Sequence, residues 1–120
     1  PRMLLVTGGC GYIGSHFVKT YLDSHPDERV VVVDNMSEGH KEAIAYPERT
    51  DLVVADIGDQ ATMRGVLAER AIDAVVHFSA SCYVGESSKD PVKYYRNNVI
   101  QTLSLLEVML EAGVKRLVFS

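Results

Sequence analysis

The chain has 120 residues, of which 47% are hydrophobic and 23% are charged, with a formal net charge of −4 at pH 7. These values predict one globular domain with one core, and they argue against a nucleic-acid or anionic-membrane partner. No apolar run is long enough to predict a membrane span, and no secretory signal pattern is present. The two cysteines, Cys10 and Cys82, indicate neither a disulfide framework nor a metal site, and free thiols favour the cytoplasm.

The first elements in the chain are predicted to be a strand, a glycine turn and a helix. The apolar residues 3–6 lead into a turn with Gly8, Gly11 and Gly14 in the spacing G-x-x-G-x-x-G. In a dinucleotide site the first glycine allows a sharp turn, the second leaves room for a pyrophosphate, and the third allows close helix packing. The free N–H groups of the helix predicted over residues 12–24 would face the phosphates. A tight turn without a ligand is the alternative for a glycine triplet alone.

The second strand, predicted over residues 30–34, supplies a test of that alternative. Its four valines fit a strand that is buried on both faces of a parallel sheet, and its last residue is Asp34. Asp34 lies 20 residues after Gly14, and a carboxylate there can accept both ribose hydroxyls of adenosine. The same carboxylate would repel a 2′-phosphate. The sequence therefore predicts NAD(H) as the ligand, in preference to NADP(H) or an empty turn.

The middle of the chain continues the alternation of strands and helices. The loop from Asn35 to Gly39 follows the second strand at the end where ligands bind in this architecture, and residues 40–46 are predicted to form a short surface helix. A third strand over residues 52–55 precedes Asp56 and Ile57, which could meet an adenine by a hydrogen bond and by packing. A turn-forming role for Asp56 is equally compatible with the pattern.

The second half repeats the pattern twice. Asp59 is a predicted N-cap for a helix to about residue 70, whose buried stripe is Met63, Val66 and Leu67. A fourth strand over residues 74–78 contains His77, which we interpret as a hydrogen-bonded core histidine, and a loop of small residues follows it. Asp90 and Pro91 open a long helix that Gly113 ends, and residues 115–120 form a fifth strand. This order predicts an α/β fold, a doubly wound parallel sheet with strand order 3-2-1-4-5.

The apolar residues of the long helix form two faces, whereas those of the first helix form one. The first face of the long helix comprises Tyr95, Val99, Leu103, Leu106 and Leu110, and the second comprises Leu105, Val108 and Ala112. Such a helix is expected to be buried by the sheet on one side and by a partner subunit on the other. In the first helix the apolar face comprises Ile13, Phe17, Val18, Tyr21 and Leu22.

Five blocks of sequence carry a family resemblance, namely residues 6–16, 77–80, 84–87, 91–99 and 113–120. Together they resemble the extended short-chain dehydrogenase/reductases, and within these the UDP-glucose 4-epimerase family. The glycine motif is shared across the superfamily, whereas the V-G-E-S and Y-Y-x-N-N blocks are more specific to the epimerases.

The resemblance implies a set of cofactor contacts. It assigns Tyr12 and Ile13 to the pyrophosphate, and it assigns the adenosine ribose to Asp34, Asn35, Met36, Ser37 and Gly39. It assigns the adenine to Asp56 and Ile57, and the remaining contacts to Phe78, Ser79, Ala80, Cys82 and Asn97. Many epimerases have lysine at the position of Cys82, where it pairs with cofactor oxygens, so one such contact is missing here.

The resemblance also implies the activity of an intact enzyme, the interconversion of UDP-glucose and UDP-galactose by transient oxidation at sugar C4. The family's catalytic serine and its Y-x-x-x-K motif would lie beyond Ser120, together with a UDP-hexose-binding domain. Residues 1–120 would then be a partial NAD-binding domain without catalytic residues, forming a homodimer through the helix over residues 91–112. We expect the chain alone to bind NAD weakly and to have no epimerase activity. The alternatives are a related 4,6-dehydratase or uronate epimerase, and a non-catalytic NAD-binding module.

Overall fold

The computed structural model describes residues 2–36, 40–78 and 91–119, without the side chains of residues 94 and 95. The described elements are, in chain order, β1 (Leu4–Thr7), α1 (Tyr12–Ser24), β2 (Val30–Asp34), β3 (Thr50–Val54), α2 (Gln60–Glu69), β4 (Ala74–His77), α3 (Pro91–Ala112) and β5 (Leu117–Phe119). Two single 3-10 turns, Lys41–Ala43 and Pro47–Arg49, lie between β2 and β3. The surface helix predicted over residues 40–46 is thus reduced to one such turn.

The five strands form one parallel sheet in the order β3-β2-β1-β4-β5, which confirms the predicted topology. Thr7 at the end of β1 is in register with Val33 of β2 and with His77 of β4, and His77 is in register with Phe119 of β5. The carboxyl ends of the strands therefore meet at one edge. Successive strands are added outward from β1 in one direction up to β3 and in the opposite direction from β4 onward, and open α/β sheets bind ligands at such a switch point.

Alternate residues of the central strands enter two separate apolar clusters, one on each face of the sheet. Leu5, Val31 and Val33 face α2 and α3, while Val6 and Val32 face α1. The unbroken valine run of β2 is explained by this two-sided burial, because a strand covered on both faces has no polar side. The predicted stripe of α2 is confirmed, since its three members are each at most 3% exposed.

The helix ends follow the predicted signals, with one error in the face of α1. Asp59 caps α2 by accepting a hydrogen bond from the Thr62 N–H at 3.3 Å, and Gly113 ends α3 with a φ of +76°. Asp90 lies outside the described residues. The prediction was wrong for Ile13, which is 63% exposed, because the first turn of α1 projects past the edge of the sheet. Gly14 occupies the buried position there.

Among the described side chains of α3, the second predicted face is buried except at its last member, and the first face is mostly exposed. Leu105 and Val108 are fully buried, whereas Ala112 is exposed because it lies in the last turn of the helix. On the first face, Leu106 is half-buried, and Val99, Leu103 and Leu110 are between 53% and 76% exposed. In the described ranges, no helix has both the length and the apolar character needed to cross a membrane.

The C-terminal end of α1 is held by one side chain from the second 3-10 turn. The Arg49 guanidinium donates hydrogen bonds of 3.1–3.2 Å to the carbonyl oxygens of Leu22, His25, Pro26 and Glu28. The same group lies 4.4 Å from the centre of the Tyr46 ring. The unsatisfied carbonyls of a helix end need such donors, so Arg49 joins α1 to the segment that precedes β3.

Candidate functional site

The turn between β1 and α1 is held by backbone hydrogen bonds, one to β2 and one within the turn. The Gly8 N–H donates to the Val33 carbonyl at 2.8 Å, and the Gly11 N–H donates to the Gly8 carbonyl at 3.1 Å. Gly8 has a φ of +73°, a conformation that residues with a side chain rarely adopt. The first glycine therefore serves the sharp turn that the sequence predicts.

The other glycines differ in what surrounds them. A Cβ on Gly14 would lie 2.1 Å from the Gly8 carbonyl oxygen, so this glycine lets α1 pack against the turn itself and not against the sheet. A Cβ on Gly11 would meet only the same oxygen, at 3.4 Å, so space remains beside the turn. The close approach to the sheet belongs to Gly9, whose Cβ would lie 2.6 Å from Val32. The motif spacing gave no reason to single out Gly9.

The N-terminal end of α1 is an uncompensated positive pole. The residue at its N-cap is Gly11, no side chain caps the helix, and the first turn contains no acidic residue. Tyr12 and Ile13 at this turn are 80% and 63% exposed, so the end of the helix is open to solvent. Free N–H groups and the positive end of the helix dipole suit a phosphate or diphosphate ligand.

The carboxylate of Asp34 lies against this turn. Its Oδ2 accepts the Cys10 N–H at 3.0 Å, and its Oδ1 accepts the Met36 N–H at 2.8 Å. Met36 has a φ of +66°, and the hydrogen bond from its N–H fixes this left-handed residue beside the carboxylate. Each carboxylate oxygen can accept more than one hydrogen bond, so the group can also receive ribose hydroxyls.

Cys10 is the buried neighbour of that carboxylate. Burial, and secondarily the negative charge of Asp34, raise the pKa of the Cys10 thiol to about 11. The thiol is therefore neutral near pH 7 and adds no negative charge beside the N-terminal end of α1. Its side chain packs into the cluster beneath α1.

Two further predicted contacts lie beside Asp34. The Ala55 N–H donates to the Asp34 carbonyl at 3.1 Å, which brings the residues after β3 next to the end of β2. Asp56 is exposed, and its Oδ1 accepts the Gly58 N–H at 2.9 Å, so it does form the turn that was its alternative role. Ile57 is 4% exposed and packs in the core, which leaves its backbone at this edge.

The remaining predicted contacts are more dispersed. The Phe78 N–H donates to the Thr7 carbonyl at 2.9 Å, which places the start of the loop after β4 beside the glycine turn. The Phe78 ring contacts Phe17 of α1, while Asn35 and Asn97 are exposed. The predicted residues Ser37, Gly39, Ser79, Ala80 and Cys82 lie outside the described residues. The described contacts thus join Gly8, Gly11, Gly14, Asp34 and Met36 at one edge of the sheet. Asp56 follows Ala55, whose N–H is bonded to the Asp34 carbonyl.

His77 is a core histidine, as predicted. It is 1% exposed, its Nδ1 lies 2.6 Å from the Thr7 hydroxyl, and its Nε2 lies 3.4 Å from the Thr102 hydroxyl. Burial lowers its pKa, which favours a neutral ring. The Thr7 hydroxyl also accepts the Phe78 N–H at 3.1 Å, so the network joins β1, β4 and α3.

Sequence comparison identifies the family of this chain. Residues 4–120 match the NAD dependent epimerase/dehydratase family. The chain belongs to this family. It is 45% identical to a probable UDP-arabinose 4-epimerase 3 of Oryza sativa subsp. japonica over 98% of this chain and 30% of that protein. It is also 45% identical to a UDP-glucose 4-epimerase of Halalkalibacterium halodurans, covering 98% of this chain and 34% of that one.

Structural comparison gives the same family. A crystal structure of UDP-glucose 4-epimerase from Brucella ovis in complex with NAD is 44% identical and superposes with a TM-score of 0.85. The match covers 99% of this chain and 35% of that one. The chain therefore spans about a third of the length of these members of the epimerase/dehydratase family.

Proposed function

We propose that this chain forms the NAD-binding part of a UDP-sugar 4-epimerase, which interconverts UDP-glucose and UDP-galactose by transient oxidation at sugar C4. The observation that carries the proposal is the hydrogen bond from the Cys10 N–H to Asp34 Oδ2. It holds a ribose-binding carboxylate against an anion-binding turn, which is the combination that an adenine dinucleotide requires. Family membership and the relatives named 4-epimerase support the reaction.

Different residues at this edge of the sheet, the proposed cofactor crevice, would bind different parts of the cofactor. The open N-terminal end of α1 beside Gly11 would hold the diphosphate, and Asp34 would accept the hydroxyls of the adenosine ribose. The exposed carboxylate of Asp56 would accept the adenine amino group. The loop after β4 would run beside the rest of the cofactor, beginning at Phe78, and Asn97 would approach it from α3.

When bound, NAD supplies a hydride acceptor that can return the same hydride within one catalytic cycle. Such a cycle leaves the cofactor unchanged, so strong retention of NAD is useful to the enzyme. The described residues of this chain bind and orient the cofactor. Because the chain spans about a third of the length of its relatives, we assign the groups that move the proton of the sugar hydroxyl, and the UDP-sugar site, to the part of such an enzyme that this chain does not cover.

A second candidate is a UDP-arabinose 4-epimerase. A relative with that name and one named UDP-glucose 4-epimerase are equally identical to this chain, so the cofactor half does not discriminate between the two sugars. A 4,6-dehydratase, a uronate epimerase and a non-catalytic NAD-binding module are further alternatives. Each predicts a different product, or none, from the same set of nucleotide sugars.

The test uses the full-length product that carries this sequence. Calorimetric titration should show binding of NAD in preference to NADP. An assay should show epimerisation of UDP-galactose or UDP-arabinose at C4, whereas dehydration of dTDP-glucose would indicate a 4,6-dehydratase. Asp34→Asn should weaken NAD binding at least about tenfold, since it removes the charge that assists hydrogen bonds to the ribose and leaves the amide of Cys10 or Met36 without its acceptor. The matched control, Asp27→Asn on an exposed loop, should leave binding unchanged. Equal affinities for NAD in the two variants would contradict the assignment.

We further propose that the enzyme is a cytoplasmic homodimer. The first face of α3 leaves Val99, Leu103 and Leu110 exposed along one side of the helix, and a partner's copy of the same face could cover it. Sedimentation equilibrium of the full-length product should give twice the monomer mass. Leu103→Glu should shift the measured mass to that of the monomer. Leu103 is chosen for the substitution because it is exposed, whereas Leu106 on the same face is half-buried.

A further inference from the structure

His77 occupies the layer directly beneath the crevice, although it does not face the ligand. It is the last residue of β4, and it is in register with Thr7 of β1 and Phe119 of β5, which are also the last residues of their strands. Its ring centre lies 5.3 Å from that of Phe119. It is 1% exposed, so any effect on a bound dinucleotide must act through its neighbours.

Both ring nitrogens of His77 are engaged, one by the end of β1 and the other by α3. Nδ1 lies 2.6 Å from the hydroxyl of Thr7, the residue that immediately precedes the left-handed Gly8. Nε2 lies 3.4 Å from the hydroxyl of Thr102 on α3, the helix that carries Asn97. A neutral imidazole has one donor and one acceptor nitrogen, and a hydroxyl can both donate and accept, so the ring can bond both hydroxyls at once.

The Thr7 hydroxyl links the histidine to two segments of the crevice. It accepts the Phe78 N–H at 3.1 Å, and that N–H is also 2.9 Å from the Thr7 carbonyl oxygen. The orientation of Thr7 therefore fixes both the start of the glycine turn and the start of the loop after β4. Buried networks of this kind specify one arrangement of the elements that they join.

We propose that His77 is a positioning residue for dinucleotide binding, which holds the glycine turn through Thr7 and α3 through Thr102. This inference rests on the proposed NAD-binding function, and it assigns a role to a side chain that does not touch the ligand. Of the two links, the shorter contact with Thr7 determines the shape of the phosphate-binding turn.

The experiment compares substitutions that retain one contact each. In His77→Asn the amide replaces Nδ1 and retains the contact with Thr7, and in His77→Gln it replaces Nε2 and retains the contact with Thr102. His77→Phe retains the ring beside Phe119 and neither hydrogen bond. NAD dissociation constants are measured by calorimetry on the full-length product, together with thermal melting. The control is Thr50→Val, which removes a buried hydroxyl that has no partner in the described part of the chain.

The proposal expects His77→Asn to bind NAD within about twofold of the unmodified protein, and His77→Gln and His77→Phe to bind about tenfold more weakly. Thr50→Val should bind as the unmodified protein does. If all three His77 variants melt at lower temperature but bind NAD with unchanged affinity, the role is structural only and the proposal is overturned. If the unmodified product binds no NAD, the proposed function fails as well. Should His77→Phe not fold, the comparison between His77→Asn and His77→Gln still decides.

Discussion

Replacing Gly14 by alanine should disrupt the crevice from within. The added Cβ would lie 2.1 Å from the Gly8 carbonyl oxygen, 2.9 Å from its carbonyl carbon and 3.0 Å from the Gly9 Cα. These are backbone atoms, so the clash cannot be relieved by a side-chain rotation. To restore ordinary contact, α1 and the turn must separate by more than an ångström.

The magnitude follows from two opposing effects. Alanine stabilises a helix over glycine by up to about 1 kcal/mol, while overpacking against backbone costs about 3 kcal/mol. The net loss of about 2 kcal/mol corresponds to a melting temperature lower by about 8 °C for a domain of this size. NAD affinity should fall at least about tenfold, because the turn proposed to receive the diphosphate is displaced.

Two matched glycine substitutions separate stability from binding. Gly11→Ala places its Cβ 3.4 Å from the nearest protein atom, so it should cost less than about 1 kcal/mol of stability. The methyl group would occupy the space beside the turn and weaken NAD binding. Gly65→Ala in α2 meets only a flexible Glu69 side chain at 3.8 Å, and it should stabilise the chain by about 0.5–1 kcal/mol without changing NAD affinity.

Urea denaturation followed by circular dichroism, with calorimetric titration of NAD, measures both quantities for the three variants. The expected pattern is loss of stability and affinity for Gly14→Ala, loss of affinity alone for Gly11→Ala, and a gain of stability alone for Gly65→Ala. A Gly14→Ala protein as stable as the unmodified chain would refute the packing argument. A Gly11→Ala protein with full NAD affinity would refute the placement of the diphosphate.

The remaining predictions concern other parts of the molecule. Arg49→Ala should destabilise the chain by about 2–3 kcal/mol in urea denaturation, because several helix-end carbonyls lose a charged donor, and Arg49→Lys should recover less than half of this. The thiol of Cys10, with its pKa raised to about 11, should react with iodoacetamide at least about 100-fold more slowly than an exposed thiol at pH 8, measured in a Cys82→Ser background. The lowered pKa of His77 means that the unfolded state binds a proton first as the pH falls. Stability should therefore be complete above about pH 6.5 and decrease below it, by up to about 1.4 kcal/mol per pH unit, and His77→Phe should flatten this decrease.

Each of these expectations has its own decisive result. An Arg49→Ala protein as stable as the unmodified chain, or full recovery of stability by Arg49→Lys, would contradict the role of the guanidinium hydrogen bonds. Rapid alkylation of Cys10 in the folded chain would mean that the thiol is accessible. An identical pH dependence in the protein with and without His77 would assign the acid sensitivity to other groups.

The topology could be predicted from the sequence because the hydrophobic periodicity and the residues that begin or end helices indicate the same elements. The valine run of β2 indicated a strand with two buried faces, and Asp59 and Gly113 marked helix ends at the positions that the structure shows. Such signals are local, and each can be read within one element. The strand order followed from the alternation of strands and helices.

What the sequence could not supply is contact between residues that are far apart in the chain. The spacing of the glycines did not reveal that Gly9 packs on Val32, nor that the Cys10 N–H is held by Asp34. The helical pattern likewise placed Ile13 on the buried face, because periodicity does not show where the supporting sheet ends. The left-handed conformation of Met36 could not be predicted either, because methionine rarely adopts a positive φ.

The two hydrogen bonds accepted by Asp34 have a consequence for attempts to change coenzyme preference. Exchanging this acid for a small or basic residue is the obvious route to accepting a phosphorylated ribose. Here the same exchange would also release the amides of Cys10 and Met36, and with them the form of the surrounding backbone. A successful redesign must therefore supply new acceptors for both amides, and selectivity cannot be altered at this position without rebuilding its support.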